Sequence, residues 1–312
     1  MSYKIIFDQL NNARQISTPD AQMDLFATPS NTPNMAPTEF WYVSDLHNIL
    51  GENVIPEKLI SGREIFSYIF TPHDFNGKKF PELDAYKKHE FRKTHIDDIH
   101  HEFTVGYHKY KNATDYLASR YAAASFIKKS MATHDAVFAY AYFLHGTISD
   151  KPNFNEICNI SDEILRISSR ENVAKYEKQL AGIIKQLGQK HSSFQNRTAP
   201  YFFGRTPKEV KARYGISEKQ PLNDYLHHTV LDARAIAIES AIARYNRNQY
   251  KNNEIFQNFV CDALRNARNE LFNKTGRTPE LSVTRTSVPR AKTKLQKLET
   301  EFVKKFSTQN IR

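Results

Sequence analysis

The chain has 312 residues, 40% hydrophobic and 25% charged, enough for one large domain or two ordinary ones with a core of normal size. No apolar run approaches the roughly 18 residues that span a bilayer, and Met1-Ser2-Tyr3-Lys4-Ile5-Ile6-Phe7 lacks the apolar stretch and small-residue site of a signal peptide, so a cytoplasmic protein without a membrane partner is expected. The two cysteines, Cys158 and Cys261, form neither a disulfide framework nor a CxxC pair.

The net charge of +10 is unevenly placed. Residues 1–200 hold 23 Lys and Arg against 23 Asp and Glu, whereas residues 201–312 hold 21 against 11. The whole excess lies in the last third, which points to a polyanionic partner acting through that end.

Residues 1–37 read as a flexible tail or linker, because 27–38 are rich in Pro, Ser, Thr and Asn. Phe40-Trp41-Tyr42-Val43 is a short aromatic strand. Ser44 then caps a helix reaching Leu50, and Gly51 stops it. A helix is expected over 63–69, and loops with short strands over 71–110. Asn112-Ala113-Thr114-Asp115 opens a helix to about Ser130, and Thr133 caps the next, with Val137, Tyr140, Ala141 and Leu144 inward and Gly146 as its stop. Residues 147–160 read as a connection. Ser161-Asp162-Glu163 starts a long helix with Val173, Tyr176, Leu180, Ile183, Ile184 and Leu187 on one face.

An aromatic segment covers 194–204. Thr206-Pro207-Lys208-Glu209 has the cap, the first-turn proline and the glutamate of a capping box. The periodicity places two more helices at about 230–248 and 254–274, the second ended by Gly276 and Pro279. Residues 282–294 form a basic arm, followed by an amphipathic helix with Leu295, Leu298, Phe302 and Phe306 on one face. That stripe packs on its own domain or pairs with a second copy as a homodimer seam. The expected fold is α+β, mainly α: a tail (1–37), a small α+β domain (38–148), a helical domain (149–281), and the basic arm with its terminal helix (282–312).

His95-Ile96-Asp97-Asp98-Ile99-His100-His101-Glu102 is the one stretch rich in metal-ligand types. His100 and His101 are adjacent, so on a regular element they diverge, and no H-E-x-x-H spacing exists; a metal-dependent nuclease built here is the lesser alternative. The chain has 10 glycines, with neither a phosphate-cradling loop nor a dinucleotide fingerprint. No nucleophile, base and orienting group can be named together. A non-catalytic chain without cofactor or metal is therefore expected. Basic residues among aromatics and hydroxyls are better supplied. Lys109 and Lys111 lead into a helix start, where phosphates are favoured, and Arg120, Lys128 and Lys129 follow along that helix. Arg285, Arg290, Lys292 and Lys294, with Lys297 after them, are diluted by few acids and would neutralise phosphates.

Several segments in order carry a family resemblance. Phe40-Trp41-Tyr42-Val43-Ser44-Asp45-Leu46, Asp115-Tyr116-Leu117-Ala118-Ser119-Arg120-Tyr121-Ala122 and Ala136-Val137-Phe138-Ala139-Tyr140-Ala141-Tyr142-Phe143 are followed by Arg170-Glu171-Asn172, Phe194-Gln195-Asn196, Tyr201-Phe202-Phe203-Gly204 and Thr275-Gly276-Arg277-Thr278-Pro279-Glu280-Leu281. Together they resemble the DNA-damage-inducible protein D (DinD) family, with residues 40–145 similar to its N-terminal Bro-N-like domain. The resemblance implies a regulator of the bacterial DNA-damage (SOS) response that associates with DNA, single-stranded or duplex, or with a RecA-type recombinase filament. It supplies no catalytic residue. A phage-type antirepressor, working through a protein partner with little DNA affinity, is the main alternative.

Overall fold

The computed structural model describes residues 2–17, 38–55, 117–131, 133–248 and 252–307. The expectations for 63–69, 71–110 and 112–115, and the sites Lys109 and Lys111, lie outside the described residues. The fold is mainly α. The chain divides into two compact units, Met1–Ser161 with Gln296–Arg312, and Asp162–Leu295.

In the first unit, α1 (Tyr3–Asn12) precedes β1 (Gln15–Ser17). The expected tail is thus a helix over its first residues. Tyr3, Ile6, Phe7 and Leu10 recur at helical spacing, and Ile6 and Leu10 are wholly buried. β2 (Thr38–Tyr42) carries the expected aromatic strand and runs directly into α2 (Val43–Leu50), which starts before the expected cap: Val43 opens the helix instead of ending the strand, and Ser44 lies within its first turn. β3 (Leu117–Ser119) replaces the expected first turns of the next helix, so α3 covers only Arg120–Lys129. The three strands form an antiparallel sheet in the order β1-β2-β3, with Trp41 opposite Ala118.

α4 (His134–His145) begins where Thr133 accepts a hydrogen bond from the Ala136 N–H at 3.1 Å. Its sequence is apolar on all sides, and Ala136 through Leu144 are each at most 4% exposed, so it is the central helix of this unit. Rings close over it: Tyr3 stacks on Phe138 at 4.6 Å and Trp41 meets Phe143 edge-on at 4.8 Å, pairs worth about 0.5–1.5 kcal/mol each beyond burial. Burial pushes the Tyr142 hydroxyl up to about 12. That hydroxyl donates to Asn11 Oδ1 at 2.8 Å.

α5 spans Phe154–Gln186 and starts earlier than expected. Asn153 Oδ1 accepts from the Asn155 and Glu156 N–H groups and acts as the cap, whereas Ser161 is a buried residue within the helix. The unit boundary falls inside this helix.

The second unit is helical. α6 (His191–Phe203), α7 (Pro207–Arg213), α8 (His228–Arg247) and α9 (Asn253–Thr275) follow α5, with 3-10 turns at Leu222–Tyr225 and Pro279–Leu281. Phe194, Phe202 and Phe203 from α6 share one core with Val173, Leu180 and Ile184 of α5 and with Phe256, Val260 and Leu264 of α9. The Thr206–Glu209 capping box forms as its sequence predicts. Gly204 ends α6 at φ 63°, and a Cβ there would lie 3.0 Å from the Arg268 guanidinium. Arg268 grips Glu280 with two hydrogen bonds of 2.7 Å and donates a third to Phe202 O. α10 (Val288–Ser307) ends the described chain.

Candidate nucleic-acid interface

The basic stretch after α9 is not a loose arm. His227 N–H donates to Ser282 O, and Thr284 N–H donates to Tyr225 O at 2.6 Å. Arg166, 2% exposed, donates to Thr284 Oγ1 and Thr286 O while paired with Glu163. Residues 282–286 are therefore fixed, and α10 begins at Val288 with Pro289 in its first turn, seven residues before the expected start. Arg290, Lys292 and Lys294 belong to a helix, not to an extended segment.

The amphipathic pattern of α10 sorts these charges. Of the stripe expected to offer a homodimer seam, Phe302 is buried and Leu295 and Leu298 are half-buried; Val288 and Ala291, earlier on the helix, are buried as well. Arg290, Lys294 and Lys297 recur at i, i+4 and i+7 as one exposed row that flanks the buried side. Arg285 is exposed just before them. None of these four has an acidic partner among the described residues. Lys292 lies off that row and pairs with Glu171 at 3.0 Å.

The first unit treats its candidates differently. Arg120 is 4% exposed and unavailable to a phosphate. Its guanidinium is bound to Glu39, donates to Tyr142 O and Phe143 O, and faces the Trp41 ring at 5.3 Å. Glu39 also holds Arg14. In sequence an arginine beside hydroxyls and lysines resembles a solvated phosphate contact; the ion pair with Glu39 of β2 makes Arg120 a core residue instead. Lys128 is exposed and spends its charge on Glu299 at 3.0 Å, whose carboxylate also accepts from the Tyr140 hydroxyl. Lys129 is exposed.

A second constellation lies at the start of α8. Asp162, His227 and His228 each place one ligand-type atom within 4.8 Å of the others. Burial, then the neighbouring His228, holds the His227 imidazole below its ordinary value, so it is neutral at pH 7. Sequence reasoning passed over this pair. The residues are adjacent, but His227 is an extended N-cap (ψ 152°) and His228 the first helical residue, so their rings lie 4.3 Å apart instead of diverging.

Comparison of the chain with protein-family models, with curated proteins and with solved structures finds no match.

Proposed function

We propose that the chain is a non-catalytic, DNA-associated regulator, of the DNA-damage-response type that its resemblance to the DinD family suggests, acting in the cytoplasm on DNA or on a RecA-type recombinase filament. In this reading residues 38–148 form an α+β, Bro-N-like domain. The observation that carries the proposal is the row Arg290, Lys294 and Lys297 on the exposed face of α10, with Arg285 before it, four cations without acidic partners among the described residues. A cation row on a helix, flanking its buried side, can neutralise successive phosphates without reading bases, which gives salt-dependent and sequence-tolerant affinity. Lys292 contributes less because Glu171 shares its charge. Lys128 and Lys129 are accessory contacts and Arg120 is none.

Fluorescence anisotropy with matched single-stranded and duplex DNA, at low and physiological salt, tests the proposal, with mass readout of the DNA for cleavage. Salt-sensitive binding that leaves the DNA intact is expected. Absence of binding at both salts would refute the DNA reading in favour of a protein partner, and chelator-sensitive cleavage would refute the non-catalytic one.

A further inference from the structure

We propose that Asp162, His227 and His228 form a binding site for a borderline divalent transition metal such as Zn²⁺ or Co²⁺. His228 Nε2 lies 3.7 Å from Asp162 Oδ1. Ligand atoms around a tetrahedral zinc with bonds of about 2.0 Å stand about 3.3 Å apart, so a small side-chain adjustment closes this pair on a metal. The remaining donor atom, from His227, lies within 4.8 Å of both.

The other nitrogen of the His227 imidazole is already engaged, and that of His228 stands near a carboxylate. His228 Nδ1 lies 3.8 Å from Asp232 Oδ2, beyond hydrogen-bond length; a small shift of the carboxylate would give the arrangement in which it orients a metal-bound histidine. His227 Nδ1 lies 3.0 Å from Thr229 Oγ1 and also accepts the Thr229 backbone N–H at 3.4 Å. In the metal-binding tautomer Nδ1 carries the proton and donates it to Thr229 Oγ1, the long backbone contact is given up, and Nε2 is left with a free lone pair. Three protein ligands, with the Asp162 side chain 45% exposed, leave a fourth position open to water.

The surroundings select the class of metal. The site sits at the positive end of α8. A hard cation held by charge alone is disfavoured there. Zn²⁺, Co²⁺ or Ni²⁺, bound largely through neutral imidazole, is not. Mg²⁺ and Ca²⁺ at millimolar concentration should therefore not compete.

The test is calorimetric titration of the full chain with Zn²⁺, and visible absorption with Co²⁺. Because His95, His100 and His101 could bind metal independently, both are run in a chain carrying His95→Ala, His100→Ala and His101→Ala. One Zn²⁺ per chain is expected in that background, with a tetrahedral Co²⁺ spectrum and a loss of affinity of at least about tenfold in Asp162→Asn and in His227→Gln. Asp162 is half-exposed, so its variant keeps the fold, which far-UV circular dichroism verifies. His191→Gln, at an exposed histidine, should bind as the parent does. No saturable binding in the triple-alanine chain, or unchanged binding in Asp162→Asn, would overturn the site.

Discussion

Gly146 has φ −57° and ψ −16°, a right-handed conformation open to any residue. Backbone entropy alone would make Gly146→Ala neutral or stabilising by up to about 1 kcal/mol. The surroundings reverse the sign. An added Cβ would lie 2.5 Å from Arg120 Nη1, 2.6 Å from Cζ and 2.7 Å from Cδ. Arginine is flexible, but this one is buried and held by Glu39, Tyr142 O and Phe143 O. Displacing it breaks the carbonyl contacts and strains the ion pair, while Glu39 keeps Arg14. Overpacking together with a weakened buried pair sets the expected loss at roughly 2–4 kcal/mol.

Trp41 is the only tryptophan, it is fully buried, and it faces the Arg120 guanidinium, so its fluorescence reports unfolding of the first unit. With a denaturant slope of about 2 kcal/mol per molar urea, the midpoint should fall by roughly 1–2 M. In an Arg120→Met background the same glycine change should cost almost nothing. Gly182→Ala is the opposite control: this exposed glycine lies within α5 with open space around its Cα, and the change should stabilise that helix by about 1 kcal/mol. A Gly146→Ala midpoint at or above that of the parent would refute the account of Arg120 as a core residue.

Thr206→Ala removes the α7 cap and should cost the second unit about 1 kcal/mol, read by far-UV circular dichroism in urea. Glu209 has a lowered pKa, first through the Thr206 backbone hydrogen bond; Glu280 is raised by burial but lowered further by its bonds to Arg268, for a net depression. A carboxylate with a depressed folded-state pKa contributes stability that is complete above its unfolded value and is lost as pH falls through the folded one. The second unit should therefore weaken in acid, and Arg268→Lys, costing roughly 1–3 kcal/mol at pH 7, should differ less from the parent as pH falls below the ordinary carboxylate range; a constant difference across pH would contradict the pairing. Burial raises the Cys261 thiol, so a thiol-directed disulfide reagent should modify Cys158 first in the native chain and both at similar rates in urea.

Local signals in the sequence carried much of this fold. The Thr206-Pro207-Lys208-Glu209 box, the Thr133 cap, the strand at Trp41 and the Gly276 stop each depend on residues within a few positions, and each stands where its chemistry puts it. Long-range pairing was not legible. β3 exists because Leu117–Ser119 pairs with β2 about 75 residues earlier, and no local pattern distinguishes it from a helix start. α1 was hidden by the Pro-rich stretch after it. Ser161 looked like a cap because serine before two acids is a common helix start, yet Asn153 after Pro152 provided the earlier one.

The candidate site shows the same division. The excess of cations in the last third is a count, and it led to Arg290 and Lys294. Their sorting from Lys292 required knowing that the helix starts at Val288 and that Glu171 stands beside one of them. The His227-His228 pair was missed because adjacency separates side chains only within a regular element, and this pair straddles a helix boundary.

The most direct test of the DNA reading is the salt dependence of binding by the parent chain and by a chain carrying Arg290→Ala, Lys294→Ala and Lys297→Ala. Three lost phosphate contacts should flatten the slope of log affinity against log salt by about 2–3 units, from roughly 0.7 per contact on single strands to 0.9 on duplex, with Lys292→Ala changing it by less than one. An unchanged slope and unchanged affinity in the triple variant would contradict the claim that this face of α10 meets DNA.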